Sequence, residues 1–160
     1  MYRFSLLGVC GLYCGACYHY CAGFPESEHL LEEAERQGYP TEGFTCKGCR
    51  SDSLYIHPGC AECAFRACAE KREILHCGLC IDYPCKQLKA FQGDDRPHHD
   101  HVFDNIEALK AHGPEEWLAR QQHRWTCGCG ERFSWYEVKC NACGVELNSH
   151  GPDPRTQDKG

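Results

Sequence analysis

Two cysteines separated by two residues can place both thiolates on one side of a turn, where a single cation takes them both. The most specific such arrangement here lies near the C-terminus. Cys127 and Cys129 are followed by ten residues that include aromatics, and then by Cys140-x2-Cys143-Gly144. Two cysteine turns joined by a short hairpin describe a zinc ribbon, with all four thiolates converging on one ion. In an extended strand Cys127 and Cys129 would face opposite ways, so a turn at Gly128 is required. His123 is the substitute ligand if that turn does not form.

Cys10-x3-Cys14-x2-Cys17-x3-Cys21 supplies a second set of four thiolates. Its first three share the spacing of the [4Fe–4S] motif in radical S-adenosylmethionine enzymes. Those enzymes need a partial or full α/β barrel, for which this chain has neither the length nor alternating strands and helices. A zinc site and an iron–sulfur cluster both remain compatible with four thiolates.

The middle of the chain holds eight more: Cys46, Cys49, Cys60, Cys63, Cys68, Cys77, Cys80 and Cys85. On one helix, Cys60 and Cys63 share a face, whereas Cys68 is turned away from Cys63 at about 100° per residue. This geometry groups Cys46 and Cys49 with Cys60 and Cys63, and Cys68 with Cys77, Cys80 and Cys85. His98, His99 and His101 read as a solvated or locally packed cluster, because adjacent His98 and His99 cannot face the same way at a helix start. Lys47, Arg50, Lys71 and Arg72 offset thiolate charge.

Sixteen cysteines could equally form eight disulfides, but the repeated two-residue spacing favours metals and four tetrahedral sites. The chain needs such staples. Among its 160 residues there are 7 Phe, and Leu, Ile and Val are also sparse, too little apolar bulk to offset chain entropy unaided. Reduced, metal-bound thiols point to the cytoplasm. No stretch approaches a membrane span, and the apolar run after Arg3 is too short for a signal peptide. A net charge of −6 argues against nucleic acid, whose binding draws on Lys and Arg.

The elements that must hold these sites are short. Residues 25–39 read as a helix begun at Pro25 or Ser27, with Leu30, Leu31 and Ala34 as its stripe and Gly38 as its stop. Cys60 to Glu73 is Ala-rich and helical, and another helix runs from Pro84 to Phe91. Val102, Ile106 and Leu109 mark a helix ending at Gly113, after which Pro114 opens a short one through Trp117 and Leu118. Trp125, Thr126, Phe133, Trp135, Tyr136 and Val138 have strand chemistry. Trp117, Trp125 and Trp135 are core candidates.

The strings CGLYCGAC (Cys10–Cys17), CKGCR (Cys46–Arg50), CGLCIDYPC (Cys77–Cys85) and RWTCGCGERFSWYEVKCNACG (Arg124–Gly144) resemble the domain of unknown function 3795 family. The resemblance spans about residues 8–144. It implies metal binding in the cytosol of a bacterium or archaeon, often an anaerobe, and transfers no activity. Cys21 is extra to the family's usual three-cysteine N-terminal pattern, and the Cys127/Cys129 turn is shortened.

The expected fold is a small, metal-stapled α+β protein: a short-helix cysteine-rich body and a C-terminal zinc-ribbon β-hairpin. Its expected division is a cysteine-rich body over 1–92, a helical segment over 93–123, the ribbon over 124–147 and a disordered tail over 148–160. No nucleophile–base pair, phosphate loop or paired carboxylates stand in a catalytic context. The sequence therefore favours a non-catalytic protein holding Zn2+, with [4Fe–4S] as the other cofactor, and binding another protein. The alternatives are an iron–sulfur redox carrier serving an anaerobic enzyme, and a zinc enzyme with one open coordination position.

Overall fold

The computed structural model describes residues 3–36, 46–52 and 56–152. It contains six α-helices among these residues: α1 (Tyr18–Cys21), α2 (Glu28–Arg36), α3 (Pro58–Ala61), α4 (Ala64–Arg72), α5 (Lys86–Gln92) and α6 (Val102–Arg124). Single 3-10 turns at Cys14–Ala16, Pro25–Ser27, Cys77–Leu79 and Pro97–His99 punctuate them.

The expected α+β class does not hold. Among the described residues there is no strand and no sheet, only three isolated antiparallel bridges, Leu7 with Tyr13, Thr126 with Arg132 and Lys139 with Glu146. The aromatic stretch that reads as a hairpin turns over on itself instead. Ser134 N–H donates to Glu137 Oε2 at 2.6 Å, and Glu137 N–H returns to the Ser134 carbonyl. Trp135 N–H, which a hairpin would spend on a facing strand, donates to the Ala16 carbonyl at 3.0 Å. Trp125, Phe133 and Trp135, which suggested a strand, are core wedges, while Val138 is exposed.

The helices also differ in detail. The Ala-rich stretch is two helices, because Cys63 takes an extended backbone and serves as the N-cap of α4. The single helical wheel across Cys60, Cys63 and Cys68 therefore does not exist. Pro84 follows a cis peptide bond, and α5 begins only after Cys85, whose sulfur accepts from Leu88 N–H. The Pro25 start appears as a 3-10 turn leading into α2, while Gly38 lies outside the described residues. At Gly113 a φ of 79° breaks α6, and the part after Pro114 runs on to Arg124. Of the expected tail, residues 148–152 are described, and His150 N–H donates to the Trp135 carbonyl at 2.7 Å.

Helix α6 is the spine. Its first part buries Val102 and Ile106 with Phe65 and Leu88, and against this cluster pack Cys10, Cys63, Cys77 and Cys85. Its continuation buries Leu109 and Trp117 with Leu7, Tyr13, Trp125, Phe133 and Trp135, joined by Cys127 and Cys140. Asn105 Nδ2 donates to the Gly11 carbonyl and Cys77 N–H to that of Val9, so the N-terminal loop is tied to both α6 and the middle cysteines. Burial of the apolar side chains supplies the driving force, at about 25 cal/mol per Å², but the core is threaded with sulfur.

Candidate metal centres

Two knuckles bring the C-terminal sulfurs together. In the first, Gly130 N–H donates to the Cys127 carbonyl at 2.8 Å and Cys127 N–H to that of Glu131 at 2.7 Å. In the second, Gly144 N–H donates to the Cys140 carbonyl and Cys140 N–H to that of Val145. Each knuckle closes on a left-handed glycine, Gly130 at φ 97° and Gly144 at φ 73°, a conformation that disfavours a side chain. Gly128, which carried the turn in the sequence reading, lies within the first knuckle, but the left-handed position is two residues on.

Across the knuckles, the Cys127 and Cys143 sulfurs are 3.7 Å apart and those of Cys129 and Cys140 are 3.6 Å apart. All four lie within 4.8 Å of one another. Four sulfurs at 2.3 Å from a tetrahedral zinc are about 3.8 Å apart, so the set has the spacing of a single ion. Backbone N–H groups of Cys143 and Ala142 pull the Cys140 thiol down to about 7. The other three thiols shift up: N–H groups of Cys129, Glu131 and Val145 lower them, but burial and neighbouring sulfurs outweigh that. His123 is exposed on the last turn of α6 and outside this set.

A second gathering lies between α4 and α5. Cys68, Cys77, Cys80 and Cys85 line one narrow cavity whose other walls include Phe65 and Leu88. Burial, then Cys85, Cys68 and Cys80, push the Cys77 thiol up to about 12.

The N-terminal cysteines meet one another and also cysteines from the middle of the chain. Cys10 lies within electrostatic reach of Cys49, Cys63 and Cys77. Cys14 faces Cys49, whose backbone N–H supports its sulfur. Cys14 is also within electrostatic reach of Cys17, across the 3-10 turn at Cys14–Ala16, and Cys17 is in reach of Cys46 and Cys60. Cys21 is fully buried beside Ala22 and Leu30, and its sulfur donates to the Gly15 carbonyl at 3.3 Å. Cys46 and Cys49 thus face different N-terminal cysteines, and Cys60 faces both of them.

Desolvation raises the thiols of Cys10, Cys14 and Cys17 well above their ordinary value, so uncharged sulfur is favoured until a cation arrives. Arg50 fits that arrangement. Its Nε donates to the Leu7 carbonyl at 3.1 Å, while its Nη2 is buried without a partner beside Cys49, Cys14 and Cys77. A buried guanidinium N–H aimed among thiols is what an anionic metal–thiolate group would satisfy. The sequence reading placed Arg50 and Arg72 near thiolates; what it missed is that Arg50 is drawn inside.

The histidines sit elsewhere. His98 stacks on Trp135 with ring centroids 4.2 Å apart, and His99 stacks on Phe91 at 3.7 Å while its Nδ1 pairs with Asp94.

Residues 6–90 match a family model described as "Protein of unknown function (DUF3795)". No curated protein and no solved structure matches the chain. The matched span holds the twelve cysteines from Cys10 to Cys85 and ends before α6 and the two C-terminal knuckles, so it is narrower than the motif resemblance. It nevertheless covers more than half of the sequence, and the chain belongs to the DUF3795 family.

Proposed function

We propose that this is a non-catalytic metal-binding protein with several cysteine-ligated centres, acting as a protein-interaction module in the cytoplasm. The observation that carries this reading is the convergence of Cys127, Cys129, Cys140 and Cys143 at single-ion spacing. Four protein ligands close a zinc ion's coordination and leave no place for water or substrate, which is the arrangement of a structural site. All sixteen cysteines are unpaired, in keeping with a reducing compartment. No helix among the described residues is long and apolar enough to cross a membrane.

Support for a protein partner comes from where apolar surface is left. Leu79 and Ile81 flank Cys80, and Val138 and Val145 flank the second C-terminal knuckle; all four are exposed, Ile81 to 93%. Scattered apolar residues on a surface are ordinary, but these form two pairs, each adjoining a cysteine turn.

Elemental analysis combined with zinc-edge X-ray absorption tests the reading. The expected result is at least one zinc per chain surrounded by four sulfurs at about 2.3 Å, lost in Cys127→Ser. A first shell containing oxygen at that zinc would indicate an open position, and an enzyme.

A further inference from the structure

The two well-formed gatherings of sulfur differ in scale. In the C-terminal set the four sulfurs nearly touch. Among the described residues no other three potential ligands lie within 4.8 Å of one another. Cys68, Cys77, Cys80 and Cys85 nevertheless surround one void. No three of their sulfurs lie within 4.8 Å of one another, a wider spacing than the about 3.8 Å of sulfurs on one ion with bonds of about 2.3 Å.

The void is narrow and walled in part by apolar side chains. Its cavity volume is about 30 Å³. A single ion needs only part of that volume, and this space holds more than one atom. Its flanks are apolar, from Phe65 and Leu88, both buried.

The sulfurs are also dressed for anionic charge. Asp82 N–H donates to Cys80 Sγ at 3.4 Å, and Leu88 N–H to Cys85 Sγ at 3.4 Å. Arg72 Nη1 donates to Cys80 Sγ at 3.3 Å and is held there by a 2.6 Å ion pair between Nη2 and Asp82. N–H···S bonds and a nearby guanidinium stabilise thiolates and tune the group that they hold.

We infer that Cys68, Cys77, Cys80 and Cys85 hold an iron–sulfur cluster, not a zinc ion, with Arg72 as the residue that sets its reduction potential. The inference rests on the reading of this chain as a multi-centre metal protein and adds the identity of one centre. A four-thiolate cluster places its ligand sulfurs around several iron and sulfide atoms, hence farther apart than on one ion. Zinc and iron–sulfide would then occupy different ends of one chain, sorted by the spacing of the sulfurs.

The test uses the full-length protein, purified without oxygen and reconstituted with ferrous iron and sulfide. Iron, acid-labile sulfide and zinc are counted in the wild type, Cys85→Ser, Cys127→Ser and Arg72→Gln. Serine at 85 keeps an N-cap for α5. Wild type should hold iron and sulfide in equal amounts beside zinc. Cys85→Ser should lose one cluster's share of both and keep its zinc, and Cys127→Ser should do the reverse. Iron and sulfide undiminished in Cys85→Ser overturn the inference, as does zinc at Cys68, Cys77, Cys80 and Cys85 without sulfide; neither touches the wider reading. Loss of no metal in Cys127→Ser sinks the assignment of zinc to the C-terminal knuckles and leaves the cluster standing. Should Cys85→Ser fail to fold, Arg72→Gln decides, since Arg72 lies on the surface. Its iron should stay bound while the reduction potential falls and the electron paramagnetic resonance of the reduced cluster shifts; an unmoved potential overturns the inference.

Discussion

Trp135 N–H donates to the carbonyl of Ala16, joining the aromatic stretch between the C-terminal knuckles to the turn between Cys14 and Cys17. Through this bond, and through the shared burial of Leu7, Trp117, Phe133 and Cys127, the C-terminal knuckles and the Cys14–Cys17 turn share one core. A centre at one end should therefore support the other.

Metal removal is the most direct check. A structural zinc site can contribute an apparent ~10–16 kcal/mol to folding, far more than this thin aliphatic core can spare. A strong chelator with reductant should abolish cooperative unfolding and move tryptophan emission to the red as Trp117, Trp125 and Trp135 meet water. An unchanged melting profile after verified metal loss would show that the apolar core suffices.

Cys21 and Cys49 should separate in their effects. Cys21 donates to a carbonyl inside a small apolar cluster, a role serine can imitate at a cost of about 1 kcal/mol. Cys21→Ser should keep its full metal content. Cys49, which Cys10, Cys14 and Cys60 all face, should lose metal when changed to serine. Equal metal loss in both variants would mean that Cys21 is a ligand after all.

Two glycines in cysteine turns make a contrasting pair. Gly48 has a φ of 100°, and a Cβ there would collide with the backbone carbonyl of Ser5. Gly48→Ala should cost several kcal/mol, on the scale of strain plus overpacking. Gly128 has open space around its Cβ position and no positive φ. Gly128→Ala should be neutral to within about 0.5 kcal/mol. Denaturant melts of the two variants compare them; a tolerated Gly48→Ala would contradict the packing of the Cys46–Cys49 turn on Ser5.

His150 gives a pH signature away from the cysteines. Burial, with His101 and Arg124 adding repulsion, pushes it down to about 4 from an ordinary 6.5. Between those values the unfolded chain binds a proton that the folded chain refuses. His150 thus contributes stability that is fully present above 6.5 and is lost as pH falls toward 4. Proton NMR should find its midpoint well below 5, and His150→Gln should flatten stability across that window. A midpoint near 6.5 would place the ring in water.

What the sequence made legible was local. The C-terminal site could be read from spacing because each pair sits in its own tight turn, and α6 could be read from Val102, Ile106 and Leu109 because one face is buried. The N-terminal cysteines could not be sorted that way. Cys14 and Cys17 are in reach of each other, but each also meets distant thiols, Cys49 for Cys14 and Cys46 and Cys60 for Cys17, which no local spacing announces. The strands failed for a different reason. Aromatic residues favour pleated surfaces only when a facing strand exists, and here Trp135 finds Ala16 instead.

Cys10, Cys63, Cys77 and Cys85 lie against Val102 and Ile106, so thiols proposed here to hold metal are also part of the hydrophobic wall. With metal at these thiols, as proposed, nutrient supply and protein lifetime would be joined. A cell short of the right metals would carry this polypeptide mainly in open forms that proteases clear, and its half-life should drop on metal starvation even while its synthesis continues. The quantity of folded protein becomes a running record of the metal the cell has to spare.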